Sequence, residues 1–363
     1  MTEPDALQQV DRTYVRWNNA VFSYFGGCDY FRLASHPKVA QALRLGLKKY
    51  GLNVAASRLT TGNHAVYAEL EAALAAFFNL PSATLVSNGY AANAIAAQAL
   101  QAEFSRVLFD ARAHPSLLDA SLQFRSPAQP FQHGDPSDLA CVLAMERDEG
   151  KPVVLCDGVF GNNGEVVPLA RYLEVLPASG LILLDDAHGA GVLGTNGRGT
   201  PEFAGVSREQ IVQTITLSKA FGVFGGAILG TKALREKIIR KSRMFAGSTP
   251  MPLPLANAAL QAVALLAGEP GFRHRLGRNV QHVQQALRER GFPIAATPAP
   301  ILAVEPATPE EAGSLRERLV ARKIYPSLIQ YPGGPAGGYF RFAISSEHRQ
   351  EQLDQLVEAL TAV

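Results

Sequence analysis

The sequence predicts an α/β protein: a large region built on a mainly parallel sheet, followed by a smaller C-terminal α/β domain. Short apolar, β-branched runs alternate with stretches of helical period through the middle of the chain, which is the pattern of a parallel sheet covered on both faces. These runs end in polar residues, Val153 to Cys156 at Asp157, Leu181 to Leu184 at Asp185 and Ile211 to Ile215 at Thr216, and strand ends of that kind are where such sheets bind ligands. After Pro250-Met251-Pro252-Leu253-Pro254 long helical stretches take over, interrupted by two short strands. We therefore expect an N-terminal arm over 1–45, a large domain over 46–254 and a small domain over 255–363.

Composition narrows the classes. Of 363 residues 47% are hydrophobic and 18% charged, enough apolar surface for a sizeable core. Thirty-four basic against 32 acidic side chains give a net charge of +2 with no basic block, so no nucleic-acid partner is expected. Cys28, Cys141 and Cys156 form no C-x-x-C pair, which fits a reducing compartment and indicates neither a disulfide framework nor a zinc site. The first residues hold no apolar signal core and no run is long enough to span a bilayer, so the expectation is a soluble, cytoplasmic protein.

In chain order, the first 35 residues are aromatic and irregular, with Tyr14, Trp17, Phe22, Tyr24, Phe25, Tyr30 and Phe31, and such an arm must pack on its own body or on a partner. Pro37 opens a helix to Tyr50, closed by Gly51, with Val39, Leu43, Leu45 and Leu47 on or near one face. Asn53 to Gly62 reads as a loop, Ala65 to Phe78 as a helix, Thr84 to Val86 as a strand, Ala91 to Leu100 as an alanine-rich helix and Arg106 to Phe109 as a strand. Beyond the large domain come helices over Ala256 to Gly268 and Phe272 to Gly291, a strand at Ile301 to Val304, and a helix capped by Thr308 and running to about Arg322. A strand from Tyr339 to Ile344 and a helix from Glu347 complete the chain.

Lys219 stands where the run Ile211 to Thr216 stops, among small residues in Thr216-Leu217-Ser218-Lys219-Ala220-Phe221-Gly222. Desolvation of a lysine there favours the neutral, nucleophilic amine that Schiff-base chemistry requires; a solvated loop lysine is the plain alternative. Asp185-Asp186-Ala187-His188 admits a metal site, a partner for a cationic ring nitrogen, or a turn. The metal reading has one histidine and no second ligand cluster. Gly189 to Gly194 spells G-x-G-x-x-G, but the breakers Thr195 to Pro201 follow where a nucleotide fingerprint must open a helix. A nicotinamide cofactor is therefore rejected. Ser87-Asn88-Gly89-Tyr90 sits at a strand-to-helix junction, which serves as an N-cap and also as a phosphate site. His114, just past a strand, is by itself ambiguous.

Four of these pieces together resemble the α-oxoamine synthases, pyridoxal-phosphate enzymes of fold type I. The lysine motif T-x-[GS]-K-[AG]-x-G is matched by Thr216 to Gly222, the long aspartate-histidine motif by Asp185 to Gly199, D-x-x-x-H-[AP]-S by Asp110 to Ser116, and S-x-G-[FY]-x-A-N by Ser87 to Asn93. The resemblance implies that Lys219 carries pyridoxal 5′-phosphate (PLP) and moves the α-proton, Asp185 pairs with the pyridinium nitrogen, His188 reaches the phenolic oxygen and His114 stacks on the ring. It further implies that Gly89, Tyr90 and Thr216 hold the phosphate, that Ser248 or Thr249 reaches the cofactor of a second subunit in a homodimer, and that Arg341 grips the amino acid carboxylate.

The chain also departs from the family pattern. Cys28 stands where Asn is usual, Gly161 where Ser is usual, Val54-Ala55-Ala56-Ser57-Arg58 where the segment is glycine-rich, and Tyr67 where a helix carries His. The implied activity is condensation of an amino acid with an acyl thioester, on CoA or an acyl-carrier protein, usually with decarboxylation, to an α-amino ketone. The alternative is an aminotransferase or lyase on the same fold without an acyl donor. A non-catalytic partner subunit is a third reading, disfavoured by the presence of Lys219.

Overall fold

The computed structural model describes residues 5–145, 150–330 and 337–362. The chain divides into two compact units, one made of residues 36–160 and 166–269, the other of 1–35, 161–165 and 270–363. This differs from the expected boundaries: the first helix and the helix over 253–268 both belong to the larger unit, because they pack on one another.

The N-terminal segment is not irregular. It is an antiparallel meander of β1 (Gln8–Asp11), β2 (Tyr14–Trp17) and β3 (Ala20–Ser23). Asn18 and Asn19 make the turn between β2 and β3 with φ of 47° and 60°, the left-handed pair that a two-residue hairpin demands and asparagine tolerates. Val15 and Trp17 alternate inward and pack with Phe22.

The larger unit runs α1 (Pro37–Tyr50), α2 (Ala65–Phe78), β4 (Ser82–Val86), α3 (Gly89–Leu100), β5 (Arg106–Asp110), α4 (Pro115–Ser121), β6 (Ala128–Phe131) and α5 (Pro136–Met145). It continues with β7 (Pro152–Asp157), α6 (Leu169–Val175), β8 (Leu181–Asp185), α7 (Thr200–Phe203), β9 (Ile211–Thr216), β10 (Gly226–Gly230), α8 (Lys232–Lys241), α9 (Arg243–Gly247) and α10 (Leu253–Gly268). Its seven strands lie in the order β4-β10-β9-β8-β7-β5-β6. The pairs from β9 to β6 are parallel, whereas β10 is antiparallel to both β4 and β9.

Both faces of this sheet are covered, as near-continuous apolar strands require. In β7, Val153 and Leu155 join one core with Ile95 and Leu117, while Val154 and Cys156 join the other with Leu139 and Tyr172. In α1, Val39 and Gly46 are buried, but Leu43, Leu45 and Leu47 are 37%, 56% and 51% exposed. Val39, Leu43 and Leu47 are spaced to share one helical face, yet of these three only Val39 is buried, and Leu45 points elsewhere.

The smaller unit adds α11 (Gly271–Glu289), β11 (Ile301–Val304), α12 (Pro309–Ala321), β12 (Leu328–Ile329), β13 (Tyr339–Ala343) and α13 (Gln350–Thr361), with a sheet in the order β11-β13-β12. Thr308 caps α12 by accepting the Glu311 N–H at 3.2 Å. The last helix starts three residues later than the sequence suggests, because His348 Nδ1 accepts the Ser345 N–H at 3.0 Å and holds the intervening residues in a turn. Among the described residues no helix is long and apolar enough to cross a membrane.

Candidate active site

All six residues of β9 are buried, and Thr216 pairs with Gly226 at the mouth of the loop that carries Lys219. Leu217 N–H donates to Gly225 O at 2.9 Å and Val223 N–H to Leu217 O at 2.8 Å, which draws the loop closed. Lys219 is half-buried. Its Nζ lies 2.8 Å from Nε2 of His188, a residue 7% exposed in the turn after β8. Strand β8 is the neighbour of β9, so its end delivers Asp185 and His188 beside the lysine loop.

Asp185 is 8% exposed. Its Oδ2 accepts Asn93 Nδ2 at 2.6 Å and its Oδ1 the Ala187 N–H at 3.1 Å. Asn93 is itself fixed, its Oδ1 accepting the Thr214 hydroxyl at 2.5 Å. The carboxylate is thus oriented by donors, the arrangement that keeps it ready for a cationic partner. His114 caps α4 and its Nδ1 faces Ser116 Oγ at 2.7 Å. Burial holds His114 below the ordinary histidine range, with the Lys219 charge acting in the same direction and Asp185 opposing it.

Asp186 does different work. It accepts the Thr200 N–H at 2.9 Å, the Thr200 hydroxyl at 2.6 Å and Gln213 Nε2 at 2.6 Å, and burial raises its carboxyl to about 7. Gly158, Gly189 and Gly199 close around it, so that a Cβ on any of the three would collide with an Asp186 carboxylate oxygen. Of the apparent nucleotide fingerprint Gly189 makes room for this side chain, while a Cβ on Gly191 would meet Ala220 and one on Gly194 would meet Glu202, and turns follow them instead of a long helix.

Between β4 and α3, Asn88 Oδ1 accepts the Ala91 N–H at 2.8 Å, leaving the Gly89 and Tyr90 amides ahead of that cap at the positive end of the helix. A Cβ on Gly89 would lie 2.6 Å from Thr216 Cβ, so only glycine lets the helix start approach β9 this closely. The Tyr90 ring lies 6.0 Å from the His114 ring, edge to face, and its hydroxyl donates to Asp119. Glycine-built closeness, free helix-start amides, an oriented carboxylate and a lysine fit PLP: an anion cradle, a partner for a ring nitrogen and an amine for its aldehyde.

Lys219, His188, Asp185, His114, Gly89, Tyr90 and Thr216 all come from the strand ends and helix starts of the larger unit. Ser248 and Thr249 follow α9 and line a small pocket with Arg58, Tyr67, Ser87 and Phe245. Tyr67, a position of departure, and Arg58, at the end of the departing segment Val54 to Arg58, serve packing: Arg58 pairs with the buried Glu71 at 2.5 Å, and the Tyr67 hydroxyl donates to Met251 O at 2.6 Å. Arg341 lies in the smaller unit on β13, where its Nη1 donates to Gly161 O at 3.0 Å. Sequence reasoning gave no role to Asn93 or Asp157. An amide in the otherwise apolar stretch Ala91-Ala92-Asn93-Ala94-Ile95 was the available signal, since a buried polar group demands a partner. Among the described residues no group of three or more His, Cys, Asp or Glu is placed to hold a metal ion.

Comparison with known proteins shows the family. Residues 28–360 match the family described as aminotransferase class I and II. The chain belongs to that family. An 8-amino-7-oxononanoate synthase from Thioalkalivibrio sulfidiphilus is 37% identical over 335 residues, covering 92% of this chain and 86% of its own. A serine palmitoyltransferase from Sphingomonas wittichii superposes with a TM-score of 0.92 at 25% identity, over 98% of this chain and 91% of that one. A serine palmitoyltransferase from S. paucimobilis, solved with bound PLP, gives 0.91 at 26% identity, over 98% of this chain and 92% of that one. Within the aminotransferase class I and II family this member is an α-oxoamine synthase with the PLP-dependent fold type I, and its cofactor is PLP. It is an acyltransferase that condenses an amino acid with an acyl thioester.

Proposed function

We propose that this enzyme works as a cytoplasmic homodimer that joins an amino acid to an acyl thioester, acyl-CoA or an acyl-carrier protein, with loss of carbon dioxide, giving an α-amino ketone. The observation that carries the reading is the 2.8 Å contact of Lys219 Nζ with His188 Nε2 beside the donor-held carboxylate of Asp185. When bound, PLP supplies an electron sink for the pair released at the amino acid's α-carbon. Asp185 keeps the ring nitrogen protonated, and Asn93 and Ala187 hold the carboxylate in position for that task. Lys219 takes and returns the α-proton, with His188 accepting a hydrogen bond that keeps Nζ placed. The neutral His114 imidazole forms one wall of the ring site, and the start of α3 with Thr216 takes the phosphate. Arg341 offers its guanidinium fork to the amino acid carboxylate.

Support for a second copy comes from the surface. Leu43, Leu45, Leu47, Leu52, Leu59 and Phe224 are large apolar side chains left exposed on the larger unit, and a second copy of the chain would cover apolar surface of this kind. Ser248 and Thr249 would then serve the partner's cofactor.

The test is release of free thiol from a series of acyl-CoA and acyl-carrier thioesters in the presence of each amino acid in turn. One productive pair names both substrates. Keto acid formed without an acyl donor, and no thiol from any pair, would instead establish the aminotransferase alternative.

A further inference from the structure

Two carboxylates stand side by side at the ends of β7 and β8, and the mechanism above uses only one. Asp157 and Asp185 are register partners on parallel strands, so both side chains leave the same face of the sheet. They are 6% and 8% exposed. Asp157 Oδ2 accepts the backbone N–H of His114 at 2.8 Å. His114 Nδ1 faces Ser116 Oγ at 2.7 Å, and that hydroxyl lies 3.4 Å from Asp185 Oδ2. A ring of contacts therefore runs from Asp157 through His114 and Ser116 to Asp185, closed by the pairing of the two strands. Burial, with Asp185 adding to it, holds the Asp157 carboxyl well above the usual carboxylate range, which favours its neutral form beside Asp185.

We propose that Asp157 is a positioning residue of the cofactor site: it anchors the His114 backbone and so fixes the imidazole against the cofactor ring. This rests on the PLP site described above. Asp157 acts through His114 and not by touching PLP. A carboxyl group is suited to the task, since its oxygen accepts an N–H.

The experiment uses the holoenzyme and the variants Asp157→Ala and Asp157→Asn, each alone and combined with His114→Ala. PLP dissociation and the visible absorbance and circular dichroism of the bound cofactor are followed. Asp157→Ala should weaken PLP retention roughly five- to thirtyfold, the range for a lost buried hydrogen bond, and should add nothing once His114 is alanine. Asp157→Asn presents an amide oxygen to the same N–H, so it should retain PLP like the parent. The circular dichroism of its bound cofactor should match the parent's, whereas that of Asp157→Ala should not.

Multiplying effects of Asp157→Ala and His114→Ala would overturn the proposal. So would an Asp157→Asn variant as damaged as Asp157→Ala. If Asp157→Ala does not fold, the Asp157→Asn comparison decides alone. A parent protein that binds no PLP would take down the cofactor site and this inference together, whereas normal PLP binding in both single Asp157 variants, with His114→Ala impaired, sinks only the role of Asp157.

Discussion

Acid should loosen the smaller unit through His348. This imidazole is buried, stacks on Phe25 at 4.1 Å between centroids and accepts the Ser345 N–H at Nδ1, while Nε2 faces Tyr24 O at 3.1 Å. Only the neutral Nε2–H tautomer satisfies both contacts. A proton on Nδ1 would point at the Ser345 N–H. Burial, with Arg32 nearby, pushes its pKa from 6.5 to about 3. A depressed histidine contributes stability that is whole above its unfolded pKa of 6.5 and is lost as pH falls towards about 3. At one and a half pH units below the unfolded value, the loss from this residue is about 2 kcal/mol, at 1.36 kcal/mol per unit. Urea unfolding at neutral pH and near pH 5 should show that loss in the parent. It should be absent from the pH dependence of His348→Gln, which keeps a donor and an acceptor but does not titrate, whatever that variant's baseline. Equal pH dependence in both proteins would refute the reasoning.

Lys219→Ala should lower thiol release by about a thousandfold or more, as expected for a group that is both attachment point and proton carrier, and an assay that finds parental rates would remove Lys219 from the mechanism. Gly89→Ala forces a Cβ to 2.6 Å from Thr216 Cβ; the strain, about 1–3 kcal/mol, should raise the PLP dissociation constant about tenfold to a hundredfold by equilibrium dialysis. Unchanged affinity would place the phosphate elsewhere. Glu71→Gln strips the carboxylate from between Arg58 and Arg235, which it meets at 2.5 and 2.9 Å. Leaving a buried guanidinium unpaired should cost about 3–5 kcal/mol in urea unfolding, and a cost near zero would show that the pair is solvated.

Local chemistry was legible in the sequence wherever a residue type punctuates the chain. Pro37 and Gly51 bound α1 and Thr308 caps α12 as written, and the polar ends at Asp185 and Thr216 marked the site. What escaped depends on pairing between distant segments. The β1 to β3 meander turns on two asparagines between strands of only four residues, too short for alternation to stand out from an aromatic arm. Nothing in Gly226–Gly230 announces that it slots antiparallel between β4 and β9, since strand order follows from which partners meet. Asn93 and Asp157 were hidden for the same reason. Each acts on a residue far along the chain, at 92 and 43 positions' distance.

The cage around Asp186 has a bearing on how such a sequence can change. Gly158, Gly189 and Gly199 are each barred from gaining a methyl group by the same carboxylate, and that carboxylate is anchored by Thr200 and Gln213. A mutational path that begins at any one glycine is closed, and shortening Asp186 alone does not open it, since a Cβ on Gly158 or Gly189 would also lie 2.5 or 2.6 Å from Thr200 Oγ1 and Gly199 holds a φ of 89°. These four positions, spread over forty-two residues of chain, are expected to drift as a block or not at all. A library that randomises them jointly would find solutions that single-site scanning never reaches.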